Sequence, residues 1–116
     1  MSWDEAHSVL YALLEGAASV ARLSIARDDI DGTLHAFGAG QGSFVIYDGV
    51  PGGAGYAQRI HDNLGDVIRE AHRIVSNCDC GEETSCYQCL RGYSNQLQHD
   101  SLSRGAARDR LASLLV

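Results

Sequence analysis

Four cysteines are the residues of this chain whose types and spacing point most directly to chemistry. They form the pattern Cys78-x-Cys80 followed by Cys86-x-x-Cys89 in the segment CDCGEETSCYQC. Zn²⁺ accepts sulfur ligands and is bound tetrahedrally in structural sites, so four thiolates this close in sequence predict one zinc ion. Four protein ligands leave no position for water, which favours a structural site over a catalytic one. Free or disulfide-linked cysteines and an iron–sulfur cluster are the alternatives.

A glycine-rich turn is the second informative segment. YDGVPGGAGYA contains Pro51, Gly52, Gly53 and Gly55 between a predicted strand and a predicted helix. Exposed N–H groups at a helix start can receive a phosphate. The spacing, however, does not match the dinucleotide fingerprint, and no lysine follows as in a P-loop. We favour the other interpretation, in which the glycines allow positive φ angles and close packing while Asp48 braces the turn.

The stretch WDEAH contains the letters that name a superfamily of ATP-driven helicases. In those motors the two acidic residues end a buried apolar strand and hold the magnesium of ATP, and a phosphate-binding loop supplies a lysine. Asp4 and Glu5 follow no such strand, and the chain contains no lysine. Ser2 and Glu5 have the spacing of a capping box. SWDE therefore predicts the first turn of a helix rather than a nucleotide site.

The polar segment after the cysteines supplies candidate contacts to nucleic acid or to a partner protein. These candidates are Arg91, Asn95, His99, Arg104 and Arg108. Similar groups commonly cap helix ends and cover metal sites, and we favour that structural role. The net charge of the chain is −6, and only the part from Arg91 onward is basic. Because nucleic-acid affinity rests largely on phosphate neutralisation, we expect the chain alone to bind DNA weakly at most.

Hydrophobic periodicity predicts the elements that hold these residues. We expect the 116 residues to form one α+β domain, in which three to four helices pack beside a small antiparallel β-hairpin and a C-terminal zinc knot. The predicted elements are a helix over 3–25, a hairpin over 33–48, the glycine-rich turn 49–55, a helix over 56–76, the cysteine cluster 78–89, and a helix over 101–115 capped by Asp100 or Ser101. No apolar run reaches the ~20 residues of a membrane span. No signal segment opens the chain either, so we expect no membrane contact and a cytoplasmic protein.

Four segments in this order, RDDIDG, YDGVPGGAGYA, CDCGEETSCYQCL and LSRGAARDRL, resemble the C-terminal zinc-binding domain of MrfA-type DEAD/DEAH-box helicases. That domain also occurs at the end of helicase-like proteins of bacterial phage-defence systems, and SCYQCLRGYSNQLQH is more similar to this branch than to the repair branch. The resemblance covers residues 7–115. It implies that the four cysteines bind one zinc ion, and that the domain sits beside a two-lobed ATPase that moves along DNA. It does not imply activity in these residues.

Our first functional hypothesis is a non-catalytic, zinc-stabilised accessory domain of a DNA helicase. Such a domain would shape the path of a nucleic-acid strand or lock the motor lobes together, and the lobes would act in cis or in trans. Any strand contact would come from Arg91, Arg104 and Arg108. Because the chain is acidic, the motor lobes would supply most of the affinity for DNA.

Two alternatives stay open at this point. The chain could be a free-standing protein-interaction module whose zinc knot presents Tyr87, Leu90 and Tyr93 to a partner. It could also be a zinc hydrolase, which would need one cysteine free of the metal and a base such as His72 or His99.

Overall fold

Four α-helices and one two-stranded antiparallel sheet make up the part of the protein that the computed structural model describes, residues 2–35, 43–50 and 53–115, without the side chains of residues 93 and 94. The predicted α+β class is confirmed. The elements are α1 (Trp3–Ser19), β1 (Ile30–His35), β2 (Ser43–Asp48), α2 (Tyr56–Asp62), α3 (Leu64–Asn77) and α4 (Arg104–Leu114), with short 3-10 stretches at Ala21–Leu23, Arg27–Asp29 and Tyr93–Ser101. None of the helices in the described ranges has both the length and the apolarity needed to cross a bilayer.

Helix α1 is the central element of the fold. The Ser2 hydroxyl accepts a hydrogen bond from the Glu5 N–H at 3.1 Å, and the Glu5 carboxylate accepts one from the Ser2 N–H at 3.4 Å, which confirms the predicted capping box. The middle of the helix is buried, with α3, α4 and β1 packed around it. Gly16 permits the close approach of α3, since a Cβ there would lie 2.7 Å from the Val67 carbonyl oxygen and 2.8 Å from the Ala71 Cβ.

The end of α1 differs from the prediction. The helix stops at Ser19 rather than at residue 25, because Val20 is extended and Ser24 has a left-handed φ of 53°. Leu23 and Ile25 are buried nevertheless. The apolar spacing that predicted a longer helix thus indicates which residues are buried rather than where the helix ends. The side chains of Leu23 and Ile25 enter the core from a segment that is not α-helical.

Strands β1 and β2 form the predicted antiparallel hairpin, but β1 begins at Ile30 instead of residue 33. Ile30 pairs with Asp48 and is 2% exposed, so its burial against the core extends the strand beyond TLHAF. Gly32 lets the strand lie close to α1, since a Cβ there would be 2.8 Å from the Leu10 Cδ1. The predicted loop GAGQG lies outside the described residues.

The helix predicted over 56–76 is two helices, α2 and α3, separated at Asn63. Asn63 leaves the helical region with φ −126° and ψ 28°, and its side-chain amide donates to the Arg59 carbonyl at 2.8 Å. An asparagine that bonds to the preceding turn in this way competes with the regular backbone pattern. The apolar stripe continues across the break, which is why periodicity alone predicted one helix.

Helix α4 begins at Arg104 with Ser103 as its cap, whereas the prediction placed the start at residue 101 with Asp100 or Ser101 as the cap. The Ser103 hydroxyl accepts an N–H of the first turn at 3.2 Å. The preceding residues, Tyr93–Ser101, form a 3-10 stretch instead. This arrangement brings the N-terminus of α4 against the loop that carries the cysteines.

Candidate metal centre

The four cysteine sulfurs lie together just after the end of α3. The Sγ–Sγ distances are 3.4 Å for Cys78–Cys86, 3.6 Å for Cys78–Cys80, 3.7 Å for Cys80–Cys89 and 3.9 Å for Cys86–Cys89. A disulfide requires about 2.05 Å, whereas four sulfurs at ~2.3 Å from a tetrahedral zinc ion stand about 3.8 Å apart. All four sulfurs lie within 4.8 Å of one another. The geometry fits a zinc ion with four sulfur ligands, and all four cysteines are free of disulfides.

The group of potential metal ligands in the described residues consists of these cysteines alone, without a histidine or a carboxylate. The two histidines that a hydrolase could use as a base form other hydrogen bonds. His72 pairs with the Ser76 hydroxyl at 3.4 Å, and His99 contacts the Gly92 carbonyl and the Asn95 side chain. The donor set is therefore that of a closed structural site rather than of an open catalytic one.

Backbone N–H groups support the Cys86-x-x-Cys89 half of the site. The Gln88 N–H donates to the Cys86 sulfur and the Cys86 N–H donates to the Cys89 sulfur, both at 3.4 Å. The Cys86 carbonyl accepts N–H groups from Cys89, Leu90 and Arg91, which closes a tight turn. Cys89 and Leu90 are fully buried. The turn is thus anchored in the apolar core and aims its N–H groups at sulfur.

Burial disfavours the thiolate form at two of the four cysteines. It raises the pKa of the Cys89 thiol far above its ordinary value and also raises the pKa of Cys80. At Cys86 burial opposes the thiolate as well, but the Gln88 N–H and the neighbouring cysteine side chains outweigh it and lower the pKa. Thiolates in such surroundings need a nearby positive charge, and a coordinated metal ion deprotonates a thiol outright. The chemistry of the donor set fits zinc.

Arg104 ties the Cys78-x-Cys80 half of the site to α3. Its side chain is buried, and its Nε and Nη2 donate to the Cys80 carbonyl at 3.0 and 2.6 Å. Its Nη1 donates to the Val75 carbonyl at 2.7 Å, and its backbone N–H donates to the Thr84 carbonyl at 2.8 Å. The guanidinium is therefore directed into the protein and not toward the solvent-exposed surface that DNA could contact. This agrees with the structural role that we favoured for the polar segment.

Asn95 and His99 fix the chain that follows the last cysteine. Asn95 is fully buried, its Nδ2 donates to the Leu90 carbonyl at 2.8 Å, and its Oδ1 accepts the Gly92 N–H at 2.8 Å. The His99 Nε2 lies 2.8 Å from the same Oδ1. These bonds explain both residues without a nucleic-acid contact.

Arg91 and Arg108 bind the cysteine loop from its outer side. The Arg91 Nε donates to the Ser85 hydroxyl at 2.9 Å. Arg108 forms ion pairs with Glu82 and with Asp109. Both arginines stay partly exposed, as does His99, so contact with nucleic acid remains a prediction for these three residues.

Two serines that sequence reasoning did not single out complete the support. The Ser8 hydroxyl on α1 accepts the Ser103 N–H at 2.9 Å, and the Ser103 hydroxyl donates to the Glu82 carbonyl at 2.9 Å. Gly105 donates its N–H to the same carbonyl at 2.8 Å. Ser8 and Ser103 are 95 positions apart, so no local pattern in the sequence could have paired them.

The helix start that follows the glycine-rich turn already has an anion. The Asp48 carboxylate accepts the N–H groups of Ala54 at 2.6 Å, Gly55 at 2.8 Å and Ala57 at 2.8 Å. The bonds from Ala54 and Ala57 contribute most to lowering the pKa of Asp48. The structure therefore supports the expected bracing role of Asp48, because these donors are not free for a phosphate.

The glycines of this turn serve its conformation. Gly53 and Gly55 have φ angles of 75° and 77°, in the left-handed region that other residues adopt at a cost. Pro51 and Gly52, which belong to the same predicted turn, lie outside the described residues.

The fold and the sulfur cluster define a small α+β zinc-binding domain. The model of the MrfA Zn-binding domain family matches residues 9–90, which include all four cysteines, and the chain belongs to this family. Druantia protein DruE of Escherichia coli (strain UMEA 4076-1) is 37% identical over 59 residues, which are 51% of this chain and 3% of that protein. The chain therefore corresponds to a small part of this relative's length. No solved structure matches it.

Proposed function

We propose that Cys78, Cys80, Cys86 and Cys89 hold one zinc ion as a closed structural site in a non-catalytic accessory domain. The observation that carries this proposal is the sulfur geometry. Four of the Sγ–Sγ distances are 3.4 to 3.9 Å and all four sulfurs lie within 4.8 Å of one another, which fits a tetrahedral site. Zinc held by four thiolates supplies a cross-link between chain segments, and no coordination position is left for a substrate. The protein's own residues do the rest, since Arg104 and Asn95 hold the two halves of the loop in register.

The partner in this proposal is an ATP-dependent DNA helicase that acts in DNA repair or phage defence. Membership of the MrfA Zn-binding domain family and the similarity to Druantia protein DruE support it. The domain would work in the cytoplasm, either in the same chain as the two ATPase lobes or as their partner. It would lock the lobes together or shape the path of a strand.

Direct DNA contact contributes little in this proposal. The chain has a net charge of −6. Of the three arginines expected to contact a strand, Arg104 is buried and Arg108 is paired with acids, which leaves Arg91. Because phosphate neutralisation drives sequence-independent binding, the motor lobes would supply most of the affinity.

Metal analysis combined with thiol titration tests the zinc site. We expect one zinc ion per chain and four thiols that react with a thiol reagent only after chelation or denaturation. A chain with one rapidly reactive thiol at full zinc occupancy would instead indicate an open, catalytic type of site.

Association with a helicase is tested by reconstitution with ATPase lobes encoded with this domain. DNA unwinding and ATP hydrolysis are measured with the unaltered domain and with Cys86→Ser. The proposal expects unwinding to fall with Cys86→Ser while ATP hydrolysis by the lobes persists. Equal unwinding by both forms would contradict it.

A protein-interaction module is the second candidate, and an apolar groove favours it. The groove has a volume of about 630 Å³ and is lined by residues of α1, β2, α2, α3 and α4. Two of its lining residues, Leu64 and Leu114, are 43% and 59% exposed. In the zinc knot itself Tyr87 is exposed, Leu90 is buried, and the side chain of Tyr93 lies outside the described part. Binding of single-stranded DNA by the isolated domain, measured against salt, tests direct strand contact. No detectable binding at low salt would exclude that form of the accessory role.

A further inference from the structure

Arg104 is a buried cation without an acidic partner. Its residue is 7% exposed, and no carboxylate of the described residues lies within ion-pair distance of its guanidinium. The neighbouring acid Glu82 pairs with Arg108 instead. Buried charges in proteins are normally paired or bound to metals, because removing an uncompensated charge from water is costly. A negative charge that balances Arg104 must therefore come from another source.

The backbone provides part of that balance. Arg104 donates to the carbonyl of Val75, which lies in the last turn of α3. The C-terminus of a helix carries the equivalent of about half a negative charge. The other acceptor is the carbonyl of Cys80, which is neutral. These carbonyls accept one hydrogen bond from each of the three guanidinium nitrogens, but they do not balance its full charge.

The cysteine cluster supplies the remaining charge when zinc is bound. Two nitrogens of Arg104 contact the main chain of Cys80, whose sulfur belongs to the cluster. One zinc ion with four thiolates carries a net charge of about −2. The zinc-loaded site is therefore an anion within the segment that the Arg104 side chain holds.

We propose that Arg104 is the counter-ion of the zinc–thiolate centre and a positioning residue for it. This inference rests on the proposed zinc site. The charge of Arg104 stabilises the four thiolates. The N–H donors of its guanidinium hold the Cys78-x-Cys80 half of the site against α3. The two contributions are separable, because lysine keeps the charge and glutamine keeps only a neutral donor.

The experiment compares the zinc affinity of the full chain with that of Arg104→Gln, Arg104→Lys and a control, Arg110→Gln. Arg110 lies on the same helix, and its exposed side chain pairs with Glu5. Affinity is measured by competition with a chromophoric chelator. We expect Arg104→Gln to bind zinc about 10–100-fold more weakly, the range typical when an outer partner of a metal ligand is removed. Arg104→Lys should keep affinity within about tenfold of the unaltered chain, and Arg110→Gln should not change it.

Stability of the metal-free chain provides the second readout. The counter-ion role requires that Arg104→Gln destabilises the zinc-loaded form more than the zinc-free form, in urea unfolding with and without chelator. Equal losses in both forms, or equal zinc affinity of Arg104→Gln and Arg104→Lys, would overturn the proposal. If Arg104→Gln does not fold, Arg104→Lys decides, and a loss beyond about tenfold overturns the inference. Failure of the unaltered chain to bind zinc would instead refute the proposed function.

Discussion

Two regions of this protein are held together by different means. Around α1 the chain is close-packed, with leucine, valine and alanine side chains from α1, α3, α4 and β1 at or near zero exposure. In the region from residue 78 to 101, here called the cysteine region, the described backbone forms turns and a 3-10 stretch without an α-helix or a strand. Its order depends on four sulfurs, on Arg104 and on Asn95. Burial fixes the first region and directional bonds fix the second.

The difference explains why a small domain uses a metal. The buried apolar core is formed mainly by α1 and the elements packed around it. Among the described side chains of the cysteine region, those of Cys89 and Leu90 are the fully buried apolar ones. So little buried apolar area cannot offset the conformational entropy of an irregular segment. A structural zinc site provides that free energy through binding. A change in one region should therefore unfold that region without unfolding the other.

The largest expected effect comes from removing a zinc ligand. With Cys86→Ser we expect loss of bound zinc and loss of order in the cysteine region, since three ligands leave the site open and metal binding is coupled to folding. NMR spectra should lose the dispersed resonances of this region, while those of α1, α3 and the hairpin persist.

Ser101→Ala, an exposed position in the same region, serves as the control and should keep one zinc ion per chain. A chelator added to the unaltered protein should reproduce the spectrum of Cys86→Ser. Loss of dispersion in all resonances, including those of α1, would show that the two regions unfold as one cooperative unit. It would contradict the conclusion that they are stabilised separately.

A truncation in the apolar core should have the next largest effect. Leu14 is fully buried on α1. Leu14→Ala removes apolar contacts and leaves a cavity, with an expected cost of about 2–5 kcal/mol in the free energy of unfolding. Urea unfolding measures this cost. Zinc should be retained below the unfolding transition, because Leu14 belongs to α1 and the four ligands belong to the cysteine region.

Leu97→Ala is the matched control, since Leu97 is 96% exposed and its truncation creates no cavity. We expect its unfolding midpoint to equal that of the unaltered protein. A loss of zinc by Leu14→Ala in the folded state would show that core packing positions the ligands directly.

Sequence reasoning succeeded where the determinants are local. The capping box of Ser2 and Glu5 and the cysteine cluster each lie within a dozen residues of chain, so spacing alone predicts their geometry. It failed where the apolar spacing continues past a change in the backbone, as after Ser19 and at Asn63, whose side chain bonds to the Arg59 carbonyl. It also failed where a residue distant in sequence decides, as for the inward direction of Arg104, which bonds to the Val75 carbonyl.

A smaller loss of stability is expected from a change at Asn95. This residue is fully buried in the cysteine region, as Leu14 is in the apolar core, but it is held by hydrogen bonds. Asn95→Ala leaves the Leu90 carbonyl and the Gly92 N–H without their partner. Unsatisfied buried groups cost about 1–3 kcal/mol. We expect this cost in urea unfolding of the zinc-loaded protein, and little of it after chelation, when the cysteine region is already disordered.

The exposed residue Gln96 gives the control variant, Gln96→Ala, which should unfold like the unaltered protein. An equal loss of unfolding free energy for Asn95→Ala with and without zinc would mean that the hydrogen bonds of Asn95 are ordered independently of the metal. They would then belong to the close-packed region around α1 rather than to the cysteine region.

The smallest effect concerns Asp48, which lies far from the zinc ligands in sequence and braces the start of α2. Backbone N–H groups, first that of Ala54, lower the pKa of Asp48 below its ordinary value of 3.8. The ionised carboxylate therefore stabilises the folded state above that pH, and this contribution disappears as the pH falls through the lowered pKa. Asp48→Asn should reduce the urea midpoint at neutral pH, and the difference from the unaltered protein should shrink below pH 3.8. Acid also releases zinc, but it does so in both proteins, so this effect cancels in the difference.

Asp100→Asn, at an exposed position, is the control. A difference that persists unchanged into acid would assign the role of Asp48 to its shape rather than to its charge.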